Sequence, residues 1–150
     1  MFRSVAQRTN KSGQLTLLDR ANSKLPSAPS AEILETFPNP SRRRYSIHFE
    51  TADFTSLCPV TGQADFARLL IDYVPDKRCV ETKSLKFYLA SFRTQCGFNE
   101  AITNRILDDF VAAVSPRQAE ITAMFSARGG IALTVRASFP GGERSGRNGR

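Results

Sequence analysis

The fold class follows most clearly from two neighbouring segments, Ala119-Glu120-Ile121-Thr122-Ala123-Met124-Phe125 and Ile131-Ala132-Leu133-Thr134-Val135-Arg136-Ala137-Ser138. In both segments apolar residues alternate with mostly polar ones, a period of two that is typical of a β-strand with one buried face. Arg128-Gly129-Gly130 lies between the segments and supplies the turn of a β-hairpin. The two segments therefore predict two adjacent antiparallel strands.

Two helices are predicted before this hairpin. The first, over 83–95, is indicated by apolar residues at helical spacing: Leu85, Tyr88, Leu89 and Phe92. The second, over 98–114, has an apolar stripe of residues four apart: Ile102, Ile106, Phe110 and Val114. Asn99 is expected to cap the start of this second helix, and Pro116 is expected to end it.

Two further strands are predicted upstream, over 45–49 and 66–74, with a loop that carries Cys58, Pro59 and Gly62 between them. The resulting order, ββααββ, indicates an α+β fold with an antiparallel sheet. Four strands cannot close into a barrel alone. The open edges therefore predict that subunits pair edge to edge into a larger ring.

Composition divides the chain into three parts. Residues 1–40 are rich in Ser, Asn, Gln and Pro and predict an N-terminal arm, residues 41–140 hold the folded domain, and residues 141–150 form a basic, Gly-rich tail. The net charge of +7 is concentrated in Arg42-Arg43-Arg44 and in the tail. Such clusters attract anions, but solvated chain ends are the favoured interpretation, so nucleic acid is not an expected partner.

The three cysteines, Cys58, Cys79 and Cys96, lack the CxxC spacing of a zinc ribbon, and their odd number argues against a disulfide framework. No metal is expected, and a reducing, cytoplasmic compartment fits best. No apolar run approaches the roughly 20 residues of a membrane-spanning helix.

Cys58 and Asp65 are the candidate reactive pair. A thiol on a turn, followed by an acid seven residues later, suits a covalent mechanism in which the thiolate attacks an electrophilic carbon and the carboxyl group moves the proton. The competing interpretation is a cysteine that simply packs beside a turn. The local string leaves both interpretations open.

Three strings across the chain resemble one protein family: FTSLCPVTGQ at 54–63, VETKSLKFY at 80–88 and RGGI at 128–131. On these strings the chain resembles the short, single-domain 7-cyano-7-deazaguanine reductases of queuosine biosynthesis, the QueF family. The resemblance implies the tunnelling fold, subunits in two stacked rings such as a decamer, and an active site at a subunit interface. It also implies reduction of a nitrile to a primary amine with two NADPH.

The resemblance also assigns roles to residues. Cys58 corresponds to the nucleophile that forms a covalent thioimide, and Asp65 to the acid that protonates the nitrile nitrogen. The implied substrate-binding residues are Val80, Glu81, Thr82, Asn99 and Glu100, of which Glu100 reads the guanine-like edge. The implied residues for NADPH are Lys83, Ser84 and Lys86.

The segment at 95–100 departs from the family pattern. The family usually has His-Gly-x-Phe-His-Glu where this chain has QCGFNE, so Gln95 and Asn99 replace both histidines. Asparagine can form hydrogen bonds but cannot carry a proton, so the proton relay is expected to differ.

Two alternatives remain beside the reductase. A related enzyme that forms an amidine from the same nitrile needs no dinucleotide, and the intact Lys83–Lys86 motif argues against it. A non-catalytic, ring-forming or RNA-binding protein would use the basic ends, and the joint presence of Cys58, Asp65 and Glu100 argues against that interpretation.

Overall fold

A computed structural model of the chain describes residues 24–141. The predictions for 1–23, the larger part of the N-terminal arm, and for nearly all of the basic tail lie outside the described residues. None of the helices within 24–141 has the length and apolar character needed to cross a membrane.

The described residues form six strands and two α-helices. In chain order these are β1 (Thr36–Pro38), β2 (Ile47–Leu57), β3 (Ala64–Val74), β4 (Arg78–Val80), α1 (Thr82–Ala90), α2 (Asn99–Val114), β5 (Gln118–Arg128) and β6 (Ile131–Phe139). Short 3₁₀ turns lie at Ala31–Ile33 and Ser91–Thr94.

The main sheet has four strands in the order β2-β3-β5-β6, and every neighbouring pair is antiparallel. The predicted α+β class with an antiparallel sheet and the order ββααββ are confirmed for these strands and for both helices. The short strands β1 and β4, which pair with each other, were not predicted. Through that pairing the described end of the predicted arm contacts the domain, with Thr36 opposite Val80.

Strand β2 is more than twice as long as predicted. The prediction covered 45–49, whereas the strand runs to Leu57. The pairing register shifts between Thr51 and Phe54, which marks a β-bulge. An extra residue at a bulge breaks the alternation of faces, so the period of two is lost where the strand continues. Beyond the bulge Phe54 and Ser56 are buried.

Helix α2 covers the sheet with the apolar stripe that the sequence predicted. Ile106, Phe110 and Val114 are buried in the same core cluster as Ile71 and Ile121 of the sheet. Burying one such side chain contributes roughly 1.5–3 kcal/mol relative to leaving it exposed. This packing fixes the position of α2 on the sheet.

Both ends of α2 differ in detail from the prediction. Phe98 occupies the N-cap position without a side-chain cap, and Asn99 is the first helical residue, so the predicted Asn99 cap is wrong. The helix ends at Val114 because Ser115 adopts a left-handed conformation with φ 50° and Pro116 follows.

The predicted hairpin turn between β5 and β6 is confirmed. Gly129 and Gly130 have φ values of 55° and 78°. Positive φ at both central positions of a two-residue loop is the requirement of a type I′ turn, which glycine meets without steric cost. The turn places Arg128, the last residue of β5, at the same end of the sheet as Cys58.

Candidate active site

A tight turn at the end of β2 carries Cys58. The Cys58 N–H donates to the Gln63 carbonyl at 2.8 Å, and the Gly62 N–H donates to the Cys58 carbonyl at 2.9 Å. Gly62 has φ 69°, in the left-handed region that favours glycine. These two bonds fix the backbone on both sides of the half-buried thiol.

Hydrogen-bond donors surround the sulfur and lower the pKa of Cys58 from its usual value. The Thr61 hydroxyl has the largest effect, followed by the backbone N–H groups of Thr61 and Val60. Partial desolvation and the nearby Asp65 carboxylate act in the opposite direction. A lowered pKa increases the thiolate fraction near neutral pH, and the thiolate is the nucleophilic form of cysteine.

Asp65 lies beside Cys58 at the start of β3, with only 8 % of its surface exposed. The Arg128 Nε lies 2.9 Å from Asp65 Oδ1, and the same guanidinium donates to the Ala64 carbonyl. A nearly buried carboxylate is costly without a partner. Arg128 therefore compensates the charge of Asp65 and fixes one of its two oxygens.

The segment that departs from the family pattern forms the other wall of the site. The Leu57 N–H donates to the Gln95 carbonyl at 2.9 Å, and the Gly97 N–H donates to the Leu57 carbonyl at 3.1 Å. This short parallel pairing brings the start of α2 to the Cys58 turn. Glu100, in the first turn of α2, is exposed, and within 24–141 its carboxylate has no partner.

Two buried side-chain atoms of the described chain lack a hydrogen-bond partner: Ser56 Oγ and Asn99 Oδ1. Leaving a buried polar group unsatisfied costs roughly 1–3 kcal/mol. Ser56 precedes Cys58 by two residues, and Asn99 precedes Glu100, so both atoms belong to the Cys58 end of the sheet. Sequence reasoning missed Ser56, although its place two residues before Cys58 on a strand predicts the same face.

The segment Val80–Thr82 lies at the opposite end of the sheet. The Val80 N–H donates to the Tyr73 hydroxyl at 3.1 Å, and Tyr73 pairs with Ile47, the first residue of β2. Cys58 follows the last residue of that strand. At about 3.3 Å per residue, the length of β2 separates the two ends by on the order of 30 Å. One copy of the chain therefore does not bring Val80–Thr82 to Cys58.

Polar groups at this second end are engaged within the chain. Both Glu81 carboxylate oxygens accept backbone N–H bonds at 2.8 Å, from Lys83 and from Ser84, and thereby cap α1. Ser84 is fully buried, and its hydroxyl donates to the Glu81 carbonyl and accepts from the Glu35 N–H. The side chain of Ser84, predicted to contact the cofactor, thus holds the loop and faces no solvent.

A groove of about 340 Å³ runs between α1 and β2. Exposed Thr82 and Lys86 line it, and its walls are largely apolar, with Phe49, Leu69 and Leu85 among them. The Lys83 ammonium lies 6.0 Å from the ring centroid of Phe87. The predicted cofactor residues Lys83 and Lys86 thus share one helix beside a groove.

His48 lies outside both ends described so far. It is on the sheet face that α2 does not cover, with Nδ1 2.6 Å from Asp72 Oδ1. The chain's single histidine therefore does not replace the imidazoles missing at Gln95 and Asn99. Within 24–141, no cluster of three or more His, Cys, Asp and Glu side chains is placed to hold a metal ion.

Comparison with known proteins identifies the family. A family described as QueF-like protein matches residues 64–142. The chain belongs to the QueF-like family. A curated NADPH-dependent 7-cyano-7-deazaguanine reductase from Nitrosospira multiformis is 57% identical over 112 residues, 74% of this chain and 80% of the relative. The reductase of the same name from Halorhodospira halophila is 52% identical over 116 residues, 77% of this chain and 98% of the relative.

A solved structure supports the fold assignment. The apo form of an archaeosine synthase, QueF-Like, superposes with a TM-score of 0.57 at 21% identity, over 65% of this chain and 94% of the other. This likeness is to the fold alone. It confirms the tunnelling fold that the three strings implied, while the ring assembly stays a prediction.

Proposed function

We propose that this QueF-like chain reduces the nitrile of 7-cyano-7-deazaguanine to the primary amine of 7-aminomethyl-7-deazaguanine, with NADPH as reductant, in cytoplasmic queuosine biosynthesis. The observation that carries the proposal is the Cys58 thiol, whose pKa is lowered by Thr61 and which lies beside a nearly buried Asp65. The close relatives named as NADPH-dependent reductases of this nitrile give the chemistry its substrate.

The first step is addition of Cys58 to the nitrile. The thiolate forms a bond to the nitrile carbon, one π bond of the C≡N group breaks, and its electron pair moves to nitrogen. Asp65, ion-paired as a carboxylate before the reaction, takes the thiol proton as Cys58 becomes a thiolate and passes it to this nitrogen, which yields a thioimide. The carboxylate left behind is held by Arg128 at 2.9 Å.

The start of α2 suits the guanine-like edge of the substrate. A carboxylate offers two acceptor oxygens for a ring N–H and an exocyclic amine, and Glu100 is exposed to do so. The unpartnered Asn99 Oδ1 adds a further acceptor beside it. Because Asn99 cannot carry a proton, the protons taken up in the later reduction steps reach the substrate from solvent through Asp65.

The groove beside α1 fits part of a dinucleotide. Lys83 and Lys86 offer positive charge for phosphate groups, while the apolar wall suits a flat ring. Two carboxylates, Glu50 and Asp53, also line the groove, and Glu50 is paired with Arg68. When bound, NADPH supplies the two hydride equivalents of the reduction. Ser84 does not face the groove; its hydroxyl stabilises the start of α1 through hydrogen bonds to the Glu81 carbonyl and the Glu35 N–H.

A second copy completes the site in this proposal. The resemblance puts Val80, Glu81 and Thr82 against the substrate. Yet Val80 contacts the Ile47 end of β2, on the order of 30 Å along the strand from Cys58, and Thr82 lines the groove beside the middle of β2. The open edge strands β2 and β6 allow copies to associate edge to edge. Stacked rings, such as a decamer, would bring this segment of one copy to the Cys58 turn of the next.

Intact-protein mass spectrometry with 7-cyano-7-deazaguanine tests the proposal. Without NADPH, the wild-type chain is expected to gain the mass of one substrate, and Cys58→Ser is expected to gain none. Cys96→Ser is the matched control, because Cys96 is an exposed cysteine on the neighbouring segment. The control is expected to form the adduct normally.

Addition of NADPH then separates the alternatives. Consumption of two NADPH per amine formed supports the reductase. An adduct without NADPH oxidation would instead favour the amidine-forming alternative. Absence of any adduct on the wild-type chain would contradict both catalytic interpretations.

A further inference from the structure

Ser56 is a buried residue that the proposed mechanism does not yet use. It has no exposed surface, and its Oγ has no hydrogen-bond partner. Other fully buried serines differ: the hydroxyls of Ser84 and Ser91 both donate to carbonyls of their own helix region. Ser56 is therefore a hydroxyl without a structural bond, in a fold that satisfies comparable hydroxyls.

The register of the sheet places Ser56 opposite Asp65 and close to Cys58. Ser56 pairs directly with Asp65 across β2 and β3, so both side chains project from the same face. The Cβ atoms of such a pair are roughly 4.5–5.5 Å apart, within reach of a hydrogen bond between their side chains. Cys58 follows Ser56 by two residues.

The carboxylate of Asp65 has one oxygen to spare. Arg128 Nε occupies Oδ1 at 2.9 Å. Within the described residues, Oδ2 has no comparable partner. The Ser56 hydroxyl lies at the paired position of the neighbouring strand and also lacks a hydrogen-bond partner.

We propose that Ser56 is a positioning residue for Asp65. This role rests on the proposed function of the chain as a nitrile reductase. When Asp65 transfers its proton to the nitrile nitrogen, a carboxylate forms in a nearly buried place. The Ser56 hydroxyl then donates to Asp65 Oδ2 while Arg128 holds Oδ1. The two bonds keep the carboxyl group aimed at the substrate and stabilise the charge that the proton leaves behind.

Ser56→Ala separates this role from a packing role. Removing an unsatisfied buried hydroxyl leaves stability unchanged or raises it. The positioning role instead predicts that the maximum rate of adduct formation falls about tenfold or more, while the half-saturating substrate concentration stays within about twofold. Ser56→Thr keeps the hydroxyl and is expected to restore much of the rate.

The matched control is Ser91→Ala, which removes a buried hydroxyl that already has a structural hydrogen bond, to the Tyr88 carbonyl. It is expected to lower the melting temperature and to leave the rate unchanged. The opposite pattern for Ser56→Ala, normal stability with slow adduct formation, is the signature of a positioning residue.

A double-mutant cycle identifies the group through which Ser56 acts. In an Asp65→Ala background, Ser56→Ala is expected to have no further effect on the slow residual rate. A full effect in that background, or a wild-type rate for Ser56→Ala alone, would overturn the proposal. Failure of the wild-type chain to form any adduct would overturn the proposed function, and the role of Ser56 with it.

Discussion

The two ends of the main sheet differ in how their polar groups are satisfied. At the Glu81 end, both carboxylate oxygens cap α1, and the Ser84 hydroxyl is bonded to the chain on two sides. At the Cys58 end, Ser56 Oγ and Asn99 Oδ1 are buried without partners. The Glu81 and Ser84 side chains are thus engaged in holding the first end, whereas the second end leaves buried bonding capacity for a ligand. Polar side chains of a sequence motif can therefore either support the fold or bind a ligand, and the hydrogen bonds that they already form within the chain distinguish the two roles.

The largest expected effect of this contrast is on the rate at the Cys58 end. Asp65→Asn removes the acid that protonates the nitrile nitrogen, so adduct formation is expected to slow by about 10²–10⁴-fold. Time-resolved intact-protein mass spectrometry measures this rate. Asp76→Asn is the control, since Asp76 forms a comparable but exposed ion pair with Arg117 near the other end. An equal loss in both variants would contradict the contrast.

Substitution of one buried serine at each end compares how much the two hydroxyls contribute to the stability of the fold. Ser84→Ala takes the acceptor from the Glu35 N–H, so the free energy of unfolding is expected to fall by about 1–3 kcal/mol. Ser56→Ala removes a hydroxyl that has no bond and is expected to cause no loss. Urea denaturation of both variants measures the difference. A larger loss for Ser56→Ala would show that the Cys58 end is the more tightly bonded one.

A smaller effect is expected from the hydrogen bond that most lowers the pKa of Cys58. Thr61→Val removes the side-chain donor, so the pKa of Cys58 rises and the thiolate fraction at neutral pH falls. A more basic thiolate is also a better nucleophile, which offsets part of the loss and leaves about a threefold slower addition. The rate is expected to recover as pH rises, and Thr61→Ser is expected to behave like the wild type. A pH-independent loss would argue against thiolate stabilisation.

The smallest effect concerns the exposed sheet face, which belongs to neither end. Asp72 is the main cause of the raised pKa of His48, with Glu50 contributing less. The pair stabilises the fold fully below the unfolded-state pKa, and this contribution is lost as pH rises through the folded-state pKa. Asp72→Asn is expected to lower the pKa of His48 in an NMR titration without changing adduct formation. An unchanged titration would remove Asp72 as the cause.

Much of the fold followed from the sequence because long periodic segments carry a clear signal. The stripe through Ile106 and Phe110 predicted α2, and the alternation around Gly129-Gly130 predicted the β5–β6 hairpin. The three-residue strands β1 and β4 are too short to show a period. Strand β2 was cut short because its bulge interrupts the alternation at Thr51.

The site was harder to predict from the sequence than the fold was. Cys58 and Asp65 were candidates from their local spacing, whereas Glu100 came from motif resemblance alone. The proximity of Glu100 to Cys58 depends on the Leu57–Cys96 pairing, which no local pattern shows. Asn99 was expected to cap a helix, whereas its side-chain oxygen is buried and unpartnered. The bonding state of a side chain is a property of the packed chain, so Ser56 and Ser84 could not be told apart beforehand.

Mixing two inactive variants tests whether the two ends of the sheet meet in one site between copies. Cys58→Ala removes the nucleophile, and Thr82→Arg places a bulky cation at an exposed position of the other end. Random co-assembly leaves about a quarter of the sites with both groups intact. NADPH oxidation is therefore expected to return to about a quarter of the wild-type level. Co-assembled rings, verified by native mass spectrometry, that show no more activity than the separate variants would contradict a site shared between copies.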